Sequence, residues 1–171
     1  SLPYICENGA AIYGLDLLDV NLPKELILSR EKEDVLNIFK NTVPINLQIK
    51  CKWLSEMDKK EQSLIFGLKD EKLKMALDRK YTIPFIFSGT KKEKYQLSKI
   101  IKKDGLCLQE GGRLINLTDR VNKAKALQVF VRFYKKYYKN VKTVAVGDNY
   151  NDLDMLKTSD FPCLVFNDKF T

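Results

Sequence analysis

The sequence predicts an α/β protein in which the two ends of the chain build part of a parallel-sheet core and the middle forms a separate α+β unit. Two observations carry this. Thr143-Val144-Ala145-Val146 reads as a short buried strand, and Leu153, Met155 and Leu156 read as the apolar face of a helix. Between them Gly147-Asp148-Asn149-Tyr150-Asn151-Asp152 forms a strand-to-helix turn, which in an open α/β sheet lies at the carboxyl edge, where ligands bind. The second observation is a change of rhythm after Tyr13 that reverses at Asn122. The expected organisation is therefore residues 1–14 in the core, 15–118 in the α+β unit and 119–171 in the core again.

From the start of the chain, Leu2 to Glu7 reads as a strand, Asn8-Gly9 as the pair favoured in a type I′ hairpin turn, and Ala10 to Tyr13 as the returning strand. In the middle segment, helical patterns cover Ser29–Asn41, Asp58–Phe66, Asp70–Lys80 and Lys91–Lys103. Strand-like runs cover Ile45–Cys51, Pro84–Ser88, Leu106–Gln109 and Arg113–Leu117. Short strands alternating with short helices suggest a small α+β unit. Gly111-Gly112 marks a tight turn or a close backbone approach to a ligand. From Asn122, a suitable N-cap, Leu127, Phe130, Val131, Tyr134 and Tyr138 recur on one helical face and are expected in the core.

The acidic turn admits two readings. Asp and Asn are common in turns and helix caps. Two carboxylates and an amide within five residues also suit a hard cation such as Mg²⁺ through oxygen ligands. An EF-hand loop is excluded, because counting from Asp148 the obligatory Gly position is Leu153 and the terminal Glu position is Ser159. A helix of about 16 residues runs about 24 Å down the sheet, and the following strand returns, so Lys123 is expected on the same edge as Asp148. An ammonium and a carboxylate facing one crevice form a phosphate site.

Composition narrows the remaining classes. With 44% hydrophobic residues and five prolines, the chain has the make-up of a folded globular protein. No apolar run approaches the about 20 residues needed to span a membrane, and no signal peptide is visible. Cys6, Cys51, Cys107 and Cys163 are far apart, and the chain has no histidine, which argues against zinc. Reduced thiols and a cytoplasmic location are the simplest expectation. The net charge of +8 comes mostly from lysine. Without an arginine-rich cluster or nucleic-acid motif it argues for a small anionic substrate over nucleic acid.

Gly-Asp-x-x-Asn-Asp followed by Leu-x-Met-Leu, at 147–156, resembles the fourth motif of the haloacid dehalogenase superfamily, and Lys123 in Asn-Lys-Ala-Lys-Ala-Leu resembles its third-motif lysine. Glu7-Asn8-Gly9-Ala10 resembles the segment just before a large inserted α/β cap. Within that subgroup, Arg79-Lys80-Tyr81-Thr82-Ile83-Pro84-Phe85 and Gly111-Gly112-Arg113 are similar to the mannosyl-3-phosphoglycerate phosphatases. The resemblance implies a partial Rossmann-like core with an inserted cap. It also implies a Mg²⁺-dependent phosphatase that acts through an aspartyl-phosphate on a phosphorylated sugar or sugar-acid. Lys123, Asp148 and Asp152 are then the catalytic residues, with Asp148, Asn151 and Asp152 around the metal. Glu7, Asn8, Arg79, Gly112, Arg113 and Lys123 are the substrate-binding residues, Arg113 foremost because guanidinium suits bidentate contact with a carboxylate or phosphate.

Two departures stand out. The superfamily's nucleophile strand ends Asp-x-Asp-x-Thr, and nothing here fits it. Asp152-Leu153-Asp154 lies inside the fourth motif, and Asp16 and Asp19 are one residue too far apart. The second-motif Ser or Thr, normally before Glu-Asn-Gly, is missing as well. The chain is read as a fragment of a longer phosphatase. In addition, Ile83 stands where the subgroup usually has an acid before the proline. The alternatives are another capped sugar-phosphate phosphatase, a binding domain that lost its nucleophile, or a basic nucleic-acid binder.

Overall fold

The computed structural model describes residues 2–111, 114–148 and 150–165. It divides into two compact units, one of Ser1–Ser29 with Val121–Thr171 and one of Arg30–Arg120. The chain begins with β1 (Tyr4–Cys6) and β2 (Ala11–Tyr13), an antiparallel hairpin in register Tyr4↔Tyr13 and Cys6↔Ala11. Asn8 (φ 60°, ψ 25°) and Gly9 (φ 100°) adopt the left-handed backbone that a type I′ turn demands. The strand stops one residue before the expected end, because Glu7 is also left-handed, at φ 44°. A third strand, β3 (Glu25–Ile27), pairs antiparallel with β2. The rhythm of the sequence had placed it with the middle segment. Ala10, Ala11, Ile12 and Leu15 are fully buried here.

The second unit opens with α1 (Lys32–Thr42) and α2 (Ile45–Gln48). The run Ile45–Cys51, expected as a strand, is a helical turn leading into β4 (Cys51–Trp53). Pro44 stands at the N-cap, and Gln48 Nε2 donates to the carbonyls of Lys40 and Val43, satisfying acceptors at the end of α1. Of the alternating positions that imitated a strand, Leu47 and Cys51 are buried, whereas Ile45 and Ile49 are exposed. Then follow α3 (Lys59–Phe66), α4 (Asp70–Leu77), β5 (Ile83–Phe87), α5 (Lys91–Lys102), β6 (Leu106–Gly111) and β7 (Leu114–Asp119). Helix starts follow their cap residues: Asp58 accepts from the Glu61 amide, and Thr90 with Glu93 forms a reciprocal capping box.

The four strands of this unit form an antiparallel sheet ordered β4-β5-β7-β6. One face packs with Val35 and Phe39 of α1 and Leu97 and Ile101 of α5 around Phe85 and Leu117. On the other face Ile86 and Leu114 meet Leu54, Met57 and residues of α3 and α4. The two ends of the unit are tied together. Arg30 Nη2 lies 2.8 Å from Asp119 Oδ1, while its Nε and its own backbone N–H reach Oδ2 at 3.0 and 2.9 Å. Burial disfavours the Asp119 carboxylate, but these hydrogen bonds, one from the Arg120 N–H and the Arg30 charge outweigh it, holding its pKa below the ordinary 3.8.

Returning to the first unit, α6 (Lys123–Tyr137) is followed by β8 (Val144–Gly147), a 3-10 turn at Tyr150–Asp152, α7 (Leu153–Thr158) and β9 (Phe161–Leu164). β8 and β9 are parallel, in register Val144↔Phe161 to Gly147↔Leu164. At their start Asp160 accepts from the Thr143 amide and hydroxyl, bonds that hold its carboxyl at about 2. The strand expected to be buried is covered on one face only. Ala145 and Gly147 are buried, whereas Val144 and Val146 are exposed. The α6 stripe expected in the core is likewise only part-covered. Phe130 and Tyr134 are half-buried with ring centroids 4.9 Å apart, and Tyr138 is exposed.

Asp119→Ala is expected to destabilise the chain by about 1–3 kcal/mol in urea unfolding at neutral pH, since it strands the Arg30 donors. Because the folded pKa of Asp119 is depressed, its contribution is full above 3.8 and fades as pH falls through the folded value. The difference between wild type and variant should therefore shrink on acidification below that point. A difference that stays constant down to acid unfolding removes the carboxylate from this role.

Candidate active site

Several segments of the first unit meet at one cavity of about 570 Å³, among them β1 with the β1–β2 turn, the start of α6, the end of β8 and the 3-10 turn leading into α7. Its polar lining comprises Asn8, Lys123, Asp148 and Asp152, and its apolar wall includes Ile5, Leu127, Val146 and Met155. Lys123 is placed by the α6 N-cap, where Asn122 Oδ1 accepts from the Ala124 N–H at 2.7 Å. Its ammonium lies 2.6 Å from Asp152 Oδ1. Asp152 is buried, with only 9% of its side chain exposed, and its other oxygen stands 3.4 Å from the Asp148 amide. A buried carboxylate needs such partners to remain charged.

Two glycines allow this convergence. A Cβ on Gly147 would stand 2.5 Å from the Asp152 Cβ, and one on Gly9 would stand 2.7 Å from the Asn122 carbonyl oxygen. The strand end therefore lies directly against the acidic turn, and the hairpin turn against the helix cap. Neither contact is legible in the sequence, although the Asn8-Gly9 and Gly147-Asp148 pairs are. Sequence reasoning also missed Asp154. Its Oδ2 accepts from Asn122 Nδ2 at 2.8 Å, linking the start of α7 to the start of α6.

The remaining candidate residues fall elsewhere. Asn151 is exposed in the 3-10 turn, and Glu7 begins the strained hairpin turn beside Asn8. Arg79 belongs to the second unit, where its Nε donates to the Ala76 carbonyl and its Nη1 to the Thr82 hydroxyl, both at 3.0 Å. These bonds make it a structural tie at the end of α4. Gly112 and Arg113 lie outside the described residues. No cysteine lines the cavity, and burial pushes the Cys51 thiol up to about 12, which rules it out as a nucleophile at neutral pH.

The donor set bears on a metal. Among the described residues no group of three or more His, Cys, Asp or Glu side chains is placed to hold a metal ion. Asp148 and Asp152 nevertheless supply two hard-oxygen carboxylates to one cavity. That number fits Mg²⁺, which binds through one or two carboxylates and completes its shell with water and substrate phosphate. It does not fit a closed structural zinc site.

The sequence profile described as haloacid dehalogenase-like hydrolase matches residues 1–169. The chain belongs to this family. It is 28% identical to the glucosyl-3-phosphoglycerate/mannosyl-3-phosphoglycerate phosphatase of Persephonella marina, over 95% of this chain and 63% of that protein. It is 26% identical to the mannosyl-3-phosphoglycerate phosphatase of Pyrococcus horikoshii, over 92% and 65%. The chain thus spans slightly less than two thirds of these relatives. Among solved structures, a haloacid dehalogenase-like hydrolase from Bacteroides thetaiotaomicron superimposes with a TM-score of 0.55 at 12% identity, covering 91% of this chain and 62% of that one. That likeness concerns the fold alone. Together these findings make the protein a mixed α/β member of the haloacid dehalogenase superfamily, similar to mannosyl-3-phosphoglycerate phosphatases.

The close approach at Gly9 can be separated from its left-handed backbone. Gly67 has a similar positive φ of 65° but open space where a Cβ would go. Gly67→Ala is expected to destabilise by about 1 kcal/mol. Gly9→Ala carries that strain and the clash with Asn122, and should lose about 1–3 kcal/mol more. Equal urea midpoints for the two variants would show that the hairpin turn does not press on the α6 cap.

Proposed function

We propose that the cavity is one side of a phosphoryl-transfer site, and that the protein is a Mg²⁺-dependent sugar-phosphate phosphatase of the mannosyl-3-phosphoglycerate phosphatase kind. The observation that carries this is the meeting of Lys123, Asp148 and Asp152 in one cavity at the carboxyl end of a parallel strand. We propose further that the attacking aspartate comes from a segment outside these 171 residues. The sequence has no Asp-x-Asp-x-Thr, and the match covers 63% of the Persephonella marina relative, leaving more than a third of that protein without a counterpart here. The exposed apolar face at Val144 and Val146 supports this reading, since parallel sheets are buried on both faces.

The chemistry asked of this chain is mostly electrostatic. The attacking carboxylate forms an O–P bond as the bond from phosphorus to the sugar-acid oxygen breaks, and that oxygen takes up a proton from solvent, which the hydrolytic water of the next step returns. Water then cleaves the acyl phosphate and releases inorganic phosphate. When bound, Mg²⁺ supplies charge neutralisation and a fixed orientation for the phosphoryl oxygens. Asp148 would hold it, with Asp152 and Asn151 orienting its waters. Lys123 places an ammonium against the phosphate and the incoming carboxylate. Asp152 keeps that ammonium at the cavity wall. Substrate reading falls to the second unit, with Arg113 the first candidate and cytoplasmic sugar-acid phosphates the expected class.

The 171-residue chain by itself is expected to release no phosphate from phosphate monoesters. A protein extended by its own upstream coding segment is expected to hydrolyse mannosyl-3-phosphoglycerate in a Mg²⁺-dependent manner. In it, Lys123→Ala and Asp148→Asn should each lower kcat by about 10²-fold or more. Mg²⁺-dependent turnover by the 171-residue chain, abolished by Asp148→Ala, would instead place the nucleophile within it.

A further inference from the structure

We infer that Asn122 and Asp154 are positioning residues for Lys123, an inference that rests on the phosphoryl-transfer reading above. Asn122 uses both ends of its side-chain amide. Its Oδ1 caps α6 through the amides of Ala124 and Lys125, at 2.7 and 3.4 Å. Its Nδ2 donates to Asp154 Oδ2 in the first turn of α7, at 2.8 Å. The residue after Asn122 is Lys123, and Asp154 follows Asp152 by two positions. One side-chain hydrogen bond therefore joins the two helix starts that carry the ammonium and its carboxylate partner.

Capping alone does not require this arrangement. Ser, Thr or Asp would cap α6 with an acceptor oxygen, but none offers an amide donor to a neighbouring helix as well. Asn122 is also held from behind, since its carbonyl oxygen takes the Ala126 N–H at 3.1 Å and packs against Gly9. With its backbone fixed on that side and its side chain tied to Asp154, the start of α6 has little freedom to turn. Lys123 is a long, flexible side chain with many rotamers. Where its ammonium stands depends on the distance between the two helix starts. The clip sets that distance, so the ammonium stays over Asp152 at the cavity and does not swing to solvent.

The test reads Lys123 directly in the 171-residue chain and needs no turnover. Trace acetylation with acetic anhydride, followed by peptide mass spectrometry, gives the labelling of Lys123 relative to Lys139, which lies exposed beyond the far end of α6. Asp152→Asn sets the unprotected reference. Asp154→Ala, which leaves the α6 cap untouched, is expected to raise relative Lys123 labelling roughly two- to tenfold. Asn122→Ser, which keeps a capping oxygen, is expected to do the same, and the double variant to go no further than either single one. Asp154→Asn retains an acceptor oxygen and should restore protection. If Asp154→Ala stays at the wild-type ratio while Asp152→Asn rises, Asn122 is a helix cap only and the inference is overturned. Protection of wild-type Lys123 by inorganic phosphate with Mg²⁺ tests the underlying site separately. Its absence, with the clip variants behaving as described, removes the phosphate reading and leaves the clip standing.

Discussion

The 2.6 Å contact between Lys123 and Asp152 depends on backbone that has no side chain in the way. Gly147 lets the end of β8 lie against Asp152, and Gly9 lets the hairpin turn lie against the α6 cap. Remove the clearance at Gly147 and Asp152 must shift; remove it at Gly9 and the α6 cap must shift. An ammonium and a buried carboxylate are then left without each other, in surroundings where an unpaired charge is disfavoured. The chemistry of the cavity is in this sense set by packing first and by charge second.

The same economy governs the second unit, which closes on itself through Arg30 and Asp119. The residues where the chain enters and leaves the unit are bonded by charged and backbone donors. Their partner atoms are therefore consumed locally and are not offered to a ligand. Arg79 likewise makes local bonds, to the Ala76 carbonyl and the Thr82 hydroxyl, which tie the end of α4 to the residues that follow it.

What could be read from the sequence was local and periodic. The β1–β2 hairpin followed from Asn8-Gly9, the start of α6 from Asn122, and the strand–turn–helix at 144–158 from its pattern of glycine and acids. Failures came where the deciding partner lay outside the run being read. Ile45–Gln48 alternates like a strand, yet Pro44 and the Gln48 bonds to the end of α1 turn it into a helix. Glu25–Ile27 is too short to announce itself, and becomes a strand only because β2 offers an edge. The α6 stripe has the right period, but period alone does not say how much of it other elements cover. In the cavity, Asp148 and Lys123 stood out by residue type. Asp154 did not, because its part depends on an amide 32 residues away.

Charge is divided unevenly between the units. Arg30–Arg120 carries 20 basic and 13 acidic side chains, so +7 of the net +8 resides there. The first unit is nearly neutral, although its cavity presents two carboxylates beside one lysine. Under the proposed reaction this division has a physical use. A phosphate group alone is repelled by Asp148 and Asp152, and Lys123 already answers one of them. The net charge available for long-range attraction of an anionic sugar-acid phosphate is that of the basic unit, and the proposed Mg²⁺ would neutralise the carboxylates of the cavity. Long-range attraction of this kind acts on encounter and is weakened by salt, since exposed charges are screened over about 8 Å at physiological ionic strength. The contact between Lys123 and Asp152 is mostly sheltered and is screened far less. If the proposed reaction holds, attraction of the substrate and positioning of the reacting groups would be carried by different sets of charges, which answer differently to ionic strength.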